Sequence, residues 1–183
     1  MYGKLTVVCG CMFAGKTTYL INFAKDYEDT GEAIVFKPAM DTRYSEKECV
    51  SHDGMKVKAI PVSEPNDLAE GEHAKIILFD EIQFFNPPYF NGDISRAIKV
   101  FLRAGKDVLV CGLDTDWQGN PFHTTSLLLG MADEVIKLKA KCSVCSGEAS
   151  KTHKKTKTGK IVELGNTNIY EARCNKHWTL TDL

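Results

Sequence analysis

The chain has 183 residues, 43% of them hydrophobic and 26% charged, with a formal net charge of −1. This composition argues against wholesale disorder, and the length suits one domain, or one domain with a small appendage. No apolar run approaches the ~18 residues that a membrane span needs, and the N-terminus shows no cleavage site, so a cytosolic protein without a membrane partner is expected.

In chain order, Lys4–Cys9 is a short apolar run that predicts a strand ending at Gly10. Lys16–Asp29 reads as helix, with Leu20, Phe23, Ala24 and Tyr27 at helical spacing and Gly31 closing it. Ala33–Lys37 predicts a buried strand stopped by Pro38, and the polar residues 41–56 predict a loop. Val57–Val62 alternates weakly as one strand. Asp67–Glu72 is a short helical stretch, and Ala74–Phe79 is a strand apolar on both faces that runs into Asp80-Glu81. Asp93–Ala104 places Ile94, Ala97, Ile98, Phe101 and Leu102 on one side of a helix ended by Gly105. Asp107–Cys111 is another two-faced strand, Thr124–Met131 a helix and Glu134–Leu138 a last strand. Continuous apolar strands alternating with helices predict an α/β fold whose parallel sheet is covered on both faces.

Charge and cysteine divide the chain. Residues 1–140 carry 15 Lys+Arg against 20 Asp+Glu, whereas residues 141–183 carry 8 against 4. The division sets apart a core over 1–140 and a distinct lobe over 141–183. The 7 cysteines are odd in number, which excludes a fully paired disulfide framework within one chain. Cys9 and Cys111 fall in apolar runs and read as small buried hydrophobes.

Gly10-Cys11-Met12-Phe13-Ala14-Gly15-Lys16-Thr17 fits G-x-x-x-x-G-K-[ST] between a predicted strand and a predicted helix. The glycines allow backbone N–H groups to turn inward around an anion, and the helix N-terminus adds partial positive charge. Lys16 reaches the β- and γ-phosphates of a nucleoside triphosphate, and the Thr17 hydroxyl can ligate Mg²⁺. The alternative is a Gly-rich turn with a solvated lysine. Asp80 and Glu81 then lie beyond the C-terminal end of a buried strand, where ligand sites of parallel sheets occur. Asp80 is placed to hold Mg²⁺ with Thr17. Glu81 can take a proton from an attacking hydroxyl, belonging to water in an ATPase or to an acceptor in a kinase.

Cys142-x-x-Cys145, 28 intervening residues and Cys174-x-x-His177 supply three thiolates and one imidazole in two close pairs. That set suits a closed tetrahedral Zn²⁺, structural rather than catalytic. A redox Cys-x-x-Cys would leave Cys174 and His177 unexplained. Between the pairs, Lys151–Lys160 holds five lysines and no acid, and reads either as a solvated loop or as a contact for nucleic acid or phosphate. Lys160–Leu164 alternates as a strand, and Gly165–Tyr170 turns back toward the metal.

These pieces, in this order, resemble the cellular-type (type II) thymidine kinases from Leu5 to His177. The resemblance rests on Gly10–Thr17, Asp41-Thr42-Arg43-Tyr44, Asp80-Glu81-Ile82-Gln83-Phe84-Phe85, the stretch Gly112–Phe122, and the Cys/Cys/Cys/His set with Gly165 and Tyr170. It implies a RecA-like P-loop core and a small zinc-held lobe whose lasso loop closes over the nucleoside. It implies that Gly10–Thr17, Asp41, Thr42, Arg43, Asp80 and Gln83 serve ATP, with Mg²⁺ near Thr17 and Asp80, Arg43 against developing charge and Gln83 beside the acceptor. Glu81 would be the base acting on the nucleoside 5′-hydroxyl. Met12, Phe84, Trp117 and Phe122 would wall thymine, with Thr152 close by and Ile161, Val162, Glu163, Leu164, Gly165 and Tyr170 forming the lid. The resemblance further implies a homotetramer, inhibition by dTTP and acceptance of deoxyuridine.

Two residues depart from the family pattern: Trp117, where Phe is more frequent, and Glu163, at a place commonly apolar. A competing class is a zinc-ribbon P-loop ATPase acting on nucleic acid, supported by the basic C-terminal segment and opposed by the acidic core. A GTP-dependent switch is disfavoured because no Asn-Lys-x-Asp sequence specifies guanine.

Overall fold

The protein is described by a computed structural model covering residues 1–42, 45, 47–156, 160–163 and 167–179. Strands β1 (Leu5–Cys9), β2 (Ala33–Pro38), β5 (Ile60–Val62), β6 (Ile76–Phe79), β7 (Asp107–Gly112) and β8 (Glu134–Lys137) form one sheet. Their order is β5-β2-β6-β7-β1-β8, and every pairing is parallel. β7 therefore separates β1, which leads into the phosphate loop, from β6, which ends at Asp80.

Alternate residues of each central strand enter different cores, which explains the continuous apolar runs. Val7, Ile77, Phe79, Val108 and Val110 pack beneath helices α2 (Ile94–Arg103) and α3 (His123–Met131), against Ile98, Phe101 and Leu128. Val8, Leu78, Leu109 and Cys111 face the other way, against Leu20, Ile21 and Ala24 of helix α1 (Lys16–Lys25). Burying each such Val, Leu, Ile or Phe contributes about 1.5–3 kcal/mol. Cys9 and Cys111 are buried, as their apolar surroundings in the sequence predict, and burial pushes the Cys111 thiol well above its usual range. α2 begins at Asp93, whose carboxylate accepts from the Arg96 N–H at 3.2 Å, satisfying one helix-end donor. Among the described residues no helix is long and apolar enough to cross a membrane.

Several elements differ from the sequence expectation. α1 stops at Lys25 rather than Asp29, because the N–H groups of Tyr27 and Glu28 turn to the carbonyls three residues back and Gly31 adopts φ +64°. The polar stretch 41–56 is not all loop: β3 (Glu48–Val50) pairs antiparallel with β4 (Lys56–Lys58). This hairpin buries Cys49 against the α1 side of the sheet, a contact invisible to local hydropathy. The single strand expected over Val57–Val62 divides at Ala59, where the chain leaves the hairpin and joins β2 as β5. Residues Pro65–Glu72 and Ile82–Phe84 form 3₁₀ turns.

The C-terminal region consists of two short ribbons. β9 (Ala140–Lys141) pairs with β10 (Glu148–Ala149), and β11 (Lys151–Lys154) pairs with β12 (Tyr170–Arg173). The start of the lysine-rich segment is thus neither a solvated loop nor a basic surface: Thr152, His153 and Lys154 are buried. The strand expected over Lys160–Leu164 is absent from 160–163, and Leu164 lies outside the described residues. Cys11 and Ala14 of the phosphate loop pack on Ala140, Cys142, Ala149 and Ala172, small residues that bring this region close to the nucleotide loop.

Candidate active site

The phosphate loop takes its shape from backbone geometry that its glycines permit. Gly10 adopts φ +152° and Gly15 φ +82°, and a Cβ on Gly10 would lie 2.5 Å from the Leu138 carbonyl oxygen. Gly15 precedes α1 without any side-chain cap, leaving first-turn N–H groups for an anion. Lys16 is buried, and its Nζ donates to the Cys11 carbonyl at 2.8 Å, folding back over the loop. The Thr17 hydroxyl lies 3.1 Å from Asp80 Oδ2, so two oxygen donors predicted 63 residues apart meet at one point. Hard oxygen donors from a carboxylate and a hydroxyl beside a phosphate cradle fit Mg²⁺.

A cavity of about 350 Å³ opens here, and its lining includes Met12, Phe13, Gly15, Lys16, Thr17, Asp41, Asp80 and Glu81. Gly10, Cys11 and Ala14 are buried and lie outside this lining. Thr42 is exposed and outside this lining, and Arg43 lies outside the described residues. The same cavity is lined by residues that the sequence reading missed: Lys37, Glu48, Cys49, His52 and Asp53. The hairpin β3–β4 supplies most of them. Lys37 stands at the C-terminal end of β2, the sheet edge where ligand sites concentrate, which was the available signal. Its buried Nζ donates to the carbonyls of Ser45 at 2.7 Å and Glu48 at 3.2 Å, fastening the hairpin over the cavity.

Glu81 follows β6 in a left-handed conformation, φ +52°, with its N–H bonded to Asp80 Oδ1 at 3.0 Å. This turn sends the two adjacent carboxylates in different directions. Gln83 is almost fully buried, accepts from the Leu113 N–H at 2.9 Å and donates its amide to Glu81. The Gln83 amide is thereby held between Leu113, just past the end of β7, and the Glu81 carboxylate.

Beyond Glu81 lies a second, narrow slot of about 40 Å³, so its side chains must part for anything as large as a nucleoside. Its walls bring together Met12, Phe84, Trp117, Phe122, Thr152, Ile161, Val162, Glu163 and Tyr170, and Gln83 also lines it. Leu164 and Gly165 lie outside the described residues. Leu113, Thr115 and Asp116 line the slot too, although within Gly112–Phe122 only Trp117 and Phe122 were singled out. Asp116 shapes that stretch: its carboxylate accepts from the N–H groups of Gln118 and Asn120, both at 2.9 Å, closing a turn that projects Trp117. Thr152 couples slot to loop, its hydroxyl accepting from the Met12 N–H at 3.0 Å. Met12 and Glu81 line both cavities.

The four candidate zinc ligands converge, with all donor atoms within 4.8 Å of one another. Cys145 Sγ lies 3.9 Å from Cys174 Sγ, and His177 Nδ1 lies 3.3 Å from Cys174 Sγ and 3.8 Å from Cys142 Sγ. A tetrahedron with Zn–S near 2.3 Å and Zn–N near 2.0–2.1 Å has edges of about 3.5–3.8 Å, so the donor set fits the ion. The backbone N–H of Cys174, followed by those of Cys145 and Val144 and the His177 ring, pulls the Cys142 thiol down to about 6, favouring the thiolate that a metal needs.

A family model described as thymidine kinase matches residues 3–178. A thymidine kinase of Coprothermobacter proteolyticus is 40% identical over 183 residues, covering 96% of this chain and 90% of the relative. Among solved structures, domain III from the Thermotoga maritima replication initiation protein DnaA aligns with a TM-score of 0.43 at 16% identity, covering 75% of this chain and 55% of that one. With the phosphate loop, the Asp80-Glu81 pair and the Cys₃His cluster all inside the span of the family model, the chain belongs to the thymidine kinase family.

Proposed function

We propose that the protein transfers the γ-phosphate of ATP to the 5′-hydroxyl of thymidine, giving thymidine 5′-monophosphate, and that it accepts deoxyuridine as well. The observation that carries this is the junction of the two cavities. Glu81 lines both the cavity beside the phosphate-loop motif and the aromatic slot.

In this reading Gly10–Thr17 cradle the triphosphate with their N–H groups, and Lys16 leaves the Cys11 carbonyl for the β- and γ-oxygens. Asp41 and Asp80 complete the ATP side, and the resemblance to the family would add Thr42 and Arg43 there. Thr17 and Asp80 would hold Mg²⁺, which when bound neutralises charge on the phosphate oxygens. Phe84, Trp117 and Phe122 would wall the flat base, with Met12 and Thr152 beneath it and 161–163 with Tyr170 across the mouth. Glu81, aimed by Gln83, accepts the 5′-hydroxyl proton as that oxygen bonds to the γ-phosphorus and the bond to the β-phosphate oxygen breaks, releasing ADP. The slot distinguishes thymidine from deoxyuridine by one methyl, worth only ~1–3 kcal/mol, so the preference is small.

Cys142, Cys145, Cys174 and His177 would hold structural Zn²⁺ in a lobe over 141–183 that serves the core over 1–140. Feedback inhibition by dTTP, a homotetrameric assembly and a cytoplasmic location belong to the same reading and rest on the family. The nucleic-acid ATPase is not favoured, since Lys154 of the basic segment turns inward.

The test is phosphate transfer from Mg-ATP to a panel of nucleosides, with single- and double-stranded DNA as controls. Products from thymidine and deoxyuridine, with little from cytidine or purine nucleosides, are expected. ATP hydrolysis that rises only with DNA would overturn the proposal.

A further inference from the structure

Lys154 is the most conspicuous charge outside the machinery described above. Its side chain is almost fully withdrawn from water, which is costly for an ammonium unless charge and hydrogen bonds compensate it. β11 carries it opposite Tyr170 of β12. Its Nζ donates to the Lys160 carbonyl at 2.7 Å and lies 2.9 Å from Glu163 Oε2. The Trp117 ring sits 5.8 Å away, within range of a cation–π attraction.

The partners of Lys154 are also tied to its surroundings. Trp117 Nε1 donates to the same Lys160 carbonyl at 3.1 Å, and the Glu163 N–H donates to the Tyr170 hydroxyl at 3.2 Å. One cation therefore joins three pieces of chain: the β11–β12 ribbon, the turn closed by Asp116, and segment 160–163. That segment has little apolar burial to hold it, since Ile161 is 44% exposed. Polar ties supply what packing does not. Trp117, Glu163 and Tyr170 line the acceptor slot, whereas Lys154 lies behind its wall.

We infer that Lys154 is a positioning residue for the acceptor slot: it clasps segment 160–163 through the Lys160 carbonyl and Glu163, against Trp117, and so sets how firmly the nucleoside is held. The inference rests on the slot being the thymidine site. The clasp fixes the backbone of this wall, so side chains rather than backbone yield when the base enters. It accounts for an acidic residue in the wall, because the Glu163 carboxylate serves the clasp. Trp117 acts in both roles, its ring toward the slot and its indole N–H toward Lys160.

The experiment compares the thymidine and ATP kinetics of the full chain with those of four variants. Lys154→Met retains an apolar stem and removes the charge. It is expected to raise the thymidine KM about tenfold and to speed thymidine release, while kcat stays within about threefold and the ATP KM within about twofold. Lys154→Arg, which keeps the charge, is expected to return the thymidine KM to within about threefold of the parent. Lys154→Met with Glu163→Leu is expected to be non-additive, no worse than Lys154→Met alone. Trp117→Phe keeps a ring face and loses the N–H, raising the thymidine KM about threefold; with Lys154→Arg it carries the test if Lys154→Met does not fold. An unchanged thymidine KM, an additive double variant or equal rises in both KM values overturns the clasp. A parent protein that does not phosphorylate thymidine at all would instead overturn the function on which the clasp depends.

Discussion

Glu81→Gln separates chemistry from binding. Leu113 N–H holds the Gln83 carbonyl oxygen at 2.9 Å, which leaves the Gln83 amide nitrogen pointing at residue 81. A glutamine at 81 retains an oxygen for that amide, the same volume and the same backbone bond to Asp80, while losing the charge and the ability to accept a proton. General-base catalysis contributes about 10²–10⁴-fold. At about 1.36 kcal/mol per tenfold, this corresponds to roughly 2.7–5.4 kcal/mol of transition-state stabilisation. Lys16 and the loop N–H groups remain, so the Kd for Mg-ATP, measured calorimetrically, is expected to change less than about threefold. Initial rates of thymidine phosphorylation at saturating substrates give kcat, and the unfolding midpoint checks the fold. A kcat within threefold of the parent would remove Glu81 from the role of base. Parallel losses of ATP affinity and rate would instead mean that residue 81 serves the nucleotide.

Other perturbations probe the supports of the site. Gly10→Ala drives a Cβ to within 2.5 Å of the Leu138 carbonyl oxygen; a loss of Mg-ATP affinity of about tenfold or more is expected, and normal affinity would mean the loop can shift at little cost. Cys174→Ser is expected to reduce bound zinc from one equivalent to under about a tenth, measured by atomic absorption, and to lower the unfolding midpoint; a full equivalent retained in that variant would reject the ligand set. Asp93→Ala removes the α2 cap and is expected to cost about 1 kcal/mol, a fall in midpoint of roughly 2–4 °C. Hydrogen bonds from the Ser95 hydroxyl and then the Arg96 N–H hold the Asp93 carboxyl below its usual value, so the cap is fully present above the ordinary carboxylate range. The difference between parent and variant should therefore shrink as pH falls through that lowered value, and a gap that persists in acid would contradict the assignment.

Much of the site was legible because its chemistry is written in short spacings. The eight residues Gly10–Thr17, the adjacent pair Asp80-Glu81 and the two x-x ligand pairs each place their groups through covalent geometry and one strand, turn or helix start. Buried strands announced themselves as two-faced apolar runs, and Asp93 with the spacing of Ile94, Ile98, Phe101 and Leu102 announced α2. The hairpin β3–β4 did not, because its polar residues cover a cavity whose floor is built elsewhere. Nor did β11: its lysines read as solvated until Tyr170 and Ala172 provided a pairing partner.

The sequence by itself therefore marked out candidate chemistry: a phosphate-loop motif, two adjacent carboxylates at a strand end and a Cys₃His set at metal-ligand spacing. Only the tertiary structure decided how these act together. It set β7 between the two strands that carry the loop and the acids, brought Thr152 to the Met12 N–H across 140 positions, and joined Trp117 to Glu163 through a buried Lys154. The physical reason is range. A turn or helix end is settled by neighbours a few residues away, whereas burial of a cation or closure of a slot depends on pairings between distant segments that no local pattern encodes.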